Sequence, residues 1–143
     1  MSLDYILLHG NSQATSIEEL VEDNSFRLED YQAVAQQIFP ETEWEGERLM
    51  ASIGNKPPSR VRSGHVRRAD VSIELSAFNG SLHLACRGGD DIHHLVVRIA
   101  REARDLGLVT LDVQTSEIID PEFAEASPEY LEWYRHVLTN LSG

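Results

Sequence analysis

Apolar and polar residues alternate with period two over two neighbouring stretches. Val71, Ile73, Leu75 and Ala77 interleave with Asp70, Ser72, Glu74 and Ser76. Asn79-Gly80 then offers the two positive-φ positions of a type I′ turn, which predicts a β-hairpin with a two-residue loop. Such a loop pairs Phe78 with Ser81. It sets Ala77 opposite Leu82, Leu75 opposite Leu84 and Ile73 opposite Cys86, so the apolar residues of both strands share one face. The other face, with Ser72, Glu74, Ser76 and His83, is polar enough to meet water. In that register Cys86 is a core residue, and a buried thiol is inert as a nucleophile.

Elsewhere the period changes. Leu3 to Leu8 is apolar on both faces, as in a central strand. Ser16-Ile17-Glu18-Glu19 has the spacing of a capping box and predicts a short helix to about Glu22. Leu28, Tyr31, Ala35 and Ile38 recur at helical spacing up to Phe39, and Pro40 ends that helix. Leu49, Ala51 and Ile53 alternate as a strand does. Ile92, Leu95, Val96, Ile99, Ala100, Ala103 and Leu106 form one stripe of a strong helix, with Asp90 as its N-cap and Gly107 at its C′ position. Leu108 to Asp112 reads as the next strand. Ser127-Pro128 opens a last helix with an apolar stripe of Tyr130, Leu131, Tyr134, Val137, Leu138 and Leu141.

The order β-α-α-β-β-β-α-β-α, with one clear hairpin and one apolar stripe per helix, predicts an α+β fold. The expected form is a mainly antiparallel sheet with helices on one face, ferredoxin-like, with an added strand and a C-terminal helix. The 143 residues fit a single α+β domain spanning 1–143. Residues 55–69, between strands, are expected as a basic loop. No apolar run approaches the ~20 residues of a membrane helix, and the N-terminus lacks the layout of a secretory signal. A single cysteine suits a reducing compartment. These features together lead us to expect a cytoplasmic location.

Charge changes the picture. Twelve basic residues against 24 acidic ones give a formal net charge of −12, which disfavours general nucleic-acid binding and favours a basic partner. The excess is uneven. Residues 1–47 hold eleven acids and one base, Arg27; residues 55–69 hold Lys56, Arg60, Arg62, Arg67 and Arg68 and no acid; residues 112–143 hold seven acids and Arg135. Glu18, Glu19, Glu22, Asp23, Glu29 and Asp30 fall in or between two predicted helices. A field that strong attracts a basic surface and speeds association, so these six are the candidate partner contacts. A solvated face is the plainer account of the same residues.

Arg60, Arg62, His65, Arg67 and Arg68 form the alternative site. Arginines with one histidine could hold phosphate, or cleave RNA by general acid–base chemistry. Yet no aromatic residue interleaves with them, as nucleic-acid sites usually require. They could equally pair with the chain's own acids. His93-His94 beside Asp90-Asp91 does not make a metal site, because adjacent helical residues diverge by about 100°. Gly88-Gly89-Asp90 lacks the spacing of a phosphate loop. No metal, cofactor or catalytic residue is expected. A homodimer through Trp44 or Trp133 is the remaining option.

The opening strand near Asp4-Tyr5, the helix end Ile38-Phe39-Pro40, and the run Arg104-Asp105-Leu106-Gly107-Leu108-Val109-Thr110-Leu111-Asp112-Val113-Gln114 carry a resemblance. The run is similar to a helix-then-strand signature in a loose group of small, acidic bacterial proteins. Some of these look like immunity proteins of polymorphic or contact-dependent toxin systems. The resemblance implies a non-enzymatic cytoplasmic protein that neutralises one cognate basic toxin domain, such as a nuclease. It carries over no active residue. The arginine segment is not part of it.

Overall fold

The computed structural model describes residues 2–10, 16–20, 25–50, 54, 59–88 and 92–122. The elements run β1 (Leu3–His9), α1 (Leu28–Ile38), β2 (Glu43–Trp44), β3 (Arg48–Met50), β4 (Ser59–Arg68), β5 (Val71–Phe78), β6 (Leu82–Arg87), α2 (Ile92–Asp105), β7 (Leu108–Asp112) and β8 (Glu117–Ile118). Among the described residues the strands make one antiparallel sheet in the order β2-β4-β5-β6-β1-β7-β8, with β3 also paired to β4. The fold is α+β, as the periodicity predicts. The segment β7-β1-β6-β5 has the split-βαβ arrangement of a ferredoxin-like sandwich, to which β4 adds a strand beyond β5, itself bordered by β2 and β3.

The hairpin register is the predicted one: Ile73 lies opposite Cys86, Leu75 opposite Leu84 and Ala77 opposite Leu82. Leu3, Tyr5 and Leu7 of β1 join these residues under Leu28, Tyr31, Ala35 and Ile38 of α1 and Val96, Ile99, Ala100 and Ala103 of α2. Both helices therefore cover one face. A smaller apolar cluster of Val109 and Ile118, with Leu8, Leu20 and Leu111, lies apart from this core.

The turn itself differs from expectation. Gly80 has φ +121°, but outside glycine only Ala69 and Ser116 among the described residues take positive φ, so Asn79-Gly80 is not type I′. Asn79 has another task. Its Oδ1 accepts the Leu28 N–H at 2.8 Å, one of the orphan donors at the start of α1. Asp30 Oδ2 accepts the Arg27 N–H at 2.8 Å at the same end. Tyr31 ties the layers together, donating to Gly80 O at 3.1 Å and accepting the His9 N–H at 3.0 Å.

Two further expectations are corrected, and two short strands are added. Residues 59–68 of the expected loop 55–69 form β4, the longest strand. Its two valines, Val61 and Val66, are five apart and so face opposite sides, which removes the period-two signal. The predicted helix from Ser16 is a single 3-10 turn over Ile17–Glu19, closed by the Glu19 N–H on Ser16 O at 3.1 Å. The short strands β2 and β8 carry too few residues for any periodicity. The final helix from Ser127, the Asp90 cap, Asp91, residues 51–53, Trp133 and the pair Glu22 and Asp23 lie outside the described residues.

Candidate functional site

Strand β4 decides the electrostatics. Val66 lies opposite Ile73 and Gly64 opposite Leu75, so Arg60, Arg62 and Arg68 share the helix-covered side of the sheet. Three arginines on that side would be costly if their cations were left in apolar surroundings. Instead each guanidinium finds hydrogen-bond acceptors, which are acids for Arg60 and Arg68 and a carbonyl and an amide for Arg62.

Arg60 hydrogen-bonds the carboxylate of Glu29 on α1 and holds Glu47 through two donors, Nε at 2.5 Å and Nη2 at 3.0 Å. These bonds keep both glutamate carboxyls below their ordinary range and push the Arg60 pKa up. Arg68 Nε reaches Glu41 at 3.2 Å, another Arg68 donor meets Ile38 O, and its guanidinium lies 4.8 Å from the Phe39 ring centre. Arg68 also helps to hold the Glu41 carboxyl low, after the larger effect of Glu41's own backbone N–H. Arg62 donates to Glu45 O at 3.0 Å and Gln32 Oε1 at 3.2 Å, with its guanidinium 5.8 Å from the Trp44 ring centre. His65, on the opposite side of the sheet, sits 3.2 Å from Glu43. Arg67 is exposed and makes no ion pair with a described residue.

The geometry divides the predicted acidic set. Glu18 and Glu19 are exposed on the 3-10 turn. Glu29 is engaged with Arg60, and Asp30 caps the Arg27 N–H. The structure thus brings Glu29 together with Arg60, one of the residues that the sequence suggested as a separate site. Glu41, Glu43, Glu47, Gln32 and Trp44 complete this network. Of these, Trp44 has a reading of its own in the sequence, as a dimer contact, and the opposite charges of residues 1–47 and 55–69 signal that pairing is open to the acids.

Cys86, Asp112 and His93 are the buried side chains of chemical interest among the described residues. Burial pushes the Cys86 thiol up to about 12, with the Asp4 charge adding to the effect. Burial also raises Asp112, against hydrogen bonds from Gln114 and Thr115 to its Oδ1. Its Oδ2 is buried without a partner, as is Thr110 Oγ1 on the same side of β7. His93 is buried in α2 while His94 is exposed, and their ring centres are 6.1 Å apart. Among the described residues, no group of three or more His, Cys, Asp or Glu side chains is placed to hold a metal ion. None of the described helices is long and apolar enough to cross a membrane.

Comparison with family models, curated proteins and solved structures gives no match to this chain.

Proposed function

We propose that the chain is a non-enzymatic protein-binding module of the immunity type, acting in the cytoplasm. It takes a basic partner, such as a nuclease toxin domain, and sets carboxylates where that partner's phosphate-bearing substrate would lie. The observation that carries this reading is the engagement of the β4 arginines. Arg60 and Arg68 each face acids of this chain, and Arg62 is held by Glu45 O and Gln32. A phosphate would have to break those contacts before it could bind. Internal pairing leaves the net charge of −12 unchanged, so the long-range field still draws a basic surface and repels nucleic acid.

The test is capture of partners from the native host at low and high salt, read by mass spectrometry. The reading predicts one stoichiometric basic protein whose retention falls as salt screens the attraction. Nucleotide or RNA recovered without protein would favour an anion site on Arg60, Arg62, His65, Arg67 and Arg68 instead.

A further inference from the structure

On the side of the sheet opposite α1 and α2 lies a groove of about 390 Å³. We infer that this groove receives a lysine or arginine side chain of the basic partner, its cation held between the carboxylates of Asp4 and Glu74. The inference rests on the protein-binding reading and adds the place where the partner docks, which differs from the helix acids that charge counting selects.

The register builds the site. Ala85 of β6 lies opposite Glu74 of β5 on one side and opposite Asp4 of β1 on the other. Two strand spacings separate the acidic residues, so their backbones stand about 10 Å apart with only a methyl group between. A long cationic side chain fits such a gap, and a carboxylate can meet it from each flank. Neither Asp4 nor Glu74 makes an ion pair with a described residue, unlike Glu29, Glu41, Glu43 and Glu47.

The walls suit the rest of the ligand. Ile6 and Val113 line the groove, and Val113 is 43% exposed, which gives the alkyl stem of a lysine or arginine apolar surface to lie on. His83 lines it too, hydrogen-bonded to Ser81 Oγ at 3.0 Å. Burial lowers its pKa, against the raising effect of the Asp4 charge, and so favours the uncharged ring. Arg67 and Arg87 flank Ser72 one row beyond Glu74, on the side away from His83. They bar a cationic ligand from extending that way and so fix its direction along the groove.

The experiment titrates the ¹⁵N-labelled full chain with acetyl-tetralysine amide at low salt. The expected result is saturable shifts at the amides of Asp4, Glu74, His83 and Ala85. Asp4→Asn with Glu74→Gln should weaken the peptide by about two- to thirtyfold, as loss of two exposed charge contacts implies. Ala85→Leu, which keeps the charges but fills the floor, should weaken it as well. Glu102→Gln with Asp105→Asn, exposed on α2 across the sheet, should not. Unchanged affinity in the Asp4/Glu74 variant, or no saturable shift at those amides, overturns the groove. So does a groove whose amides shift with protein concentration alone, since a second copy would then be the occupant. Capture of a basic protein by that variant at wild-type yield would sink the groove and leave the binding reading intact. Failure of the wild type to capture one would remove the reading itself.

Discussion

Asn79 Oδ1 accepts the backbone N–H of Leu28 at 2.8 Å, so the turn of the central hairpin caps a helix 51 residues earlier in the chain. The same loop thus closes the β5–β6 pair and satisfies the start of α1.

Asn79→Ala removes that acceptor and should cost about 0.5–2 kcal/mol, the range for a lost cap. Asn79→Asp keeps an acceptor and should stay near wild type. Asn79→Gly would help if left-handed turn geometry were what mattered, but here it should destabilise. Urea unfolding of the three variants separates the two roles, and a stabilised glycine variant would refute the cap.

Gly64 is fixed by contact rather than by backbone angle. A Cβ there would lie 2.8 Å from Thr42 Cγ2 and 2.9 Å from Trp44 Cε3. Trp44 cannot easily retreat, since its Nε1–H donates to Gln36 Oε1 at 2.7 Å. Gly64→Ala should therefore destabilise by about 1–3 kcal/mol, as overpacking does. The indole N–H resonance of Trp44 should move with it. An unshifted indole resonance and unchanged stability would show that the ring does not press on β4.

Arg60 stands between Glu29 and Glu47, two carboxylates that raise each other's proton affinity once it is gone. In Arg60→Ala, carboxyl titration by NMR should find both glutamates moved up toward their ordinary value of 4.5, with Glu29 still lowered by its backbone hydrogen bond. The stabilisation that these depressed carboxyls provide is present above that value and lost as pH falls through their folded pKa. The variant should lose less stability than wild type on acidification. Wild-type titration curves in the variant would show that Arg60 does not hold these acids in solution.

Asp112 works in the opposite sense. Its folded pKa is raised, so the ionised form is disfavoured by folding and the cost is present at neutral pH. Asp112→Asn should be more stable than wild type at pH 7 by up to roughly 1–3 kcal/mol, the scale of a buried group left unpaired. The gain should shrink as pH falls and vanish below the ordinary aspartate value of 3.8. Thermal melts across pH 3–7 measure this, and a gain that persists unchanged at low pH would contradict the assignment.

The sequence makes the centre of this fold legible and hides its edge. β5 and β6 alternate cleanly because one face meets the core and the other meets water, and β1 and β7 are apolar enough to stand out. Strand β4 has no such pattern. Arg60, Arg62, Gly64 and Arg68 occupy positions on its helix-covered side where apolar residues are expected, and only Val66 keeps the rule. Arginine can stand there because Glu29, Glu41 and Glu47 come to it from other elements, a circumstance that no local window contains. The same holds for the groove over Ala85. Asp4 and Glu74 are seventy residues apart, and only the pairing of β1 and β5 to the two sides of β6 makes them neighbours of one site.

The most direct test of the central claim is the salt-resolved capture from the native host. Binding of one stoichiometric basic protein, released as salt rises, is the predicted result. Recovery of nucleotide or RNA without protein, or of no basic protein at all, would contradict it.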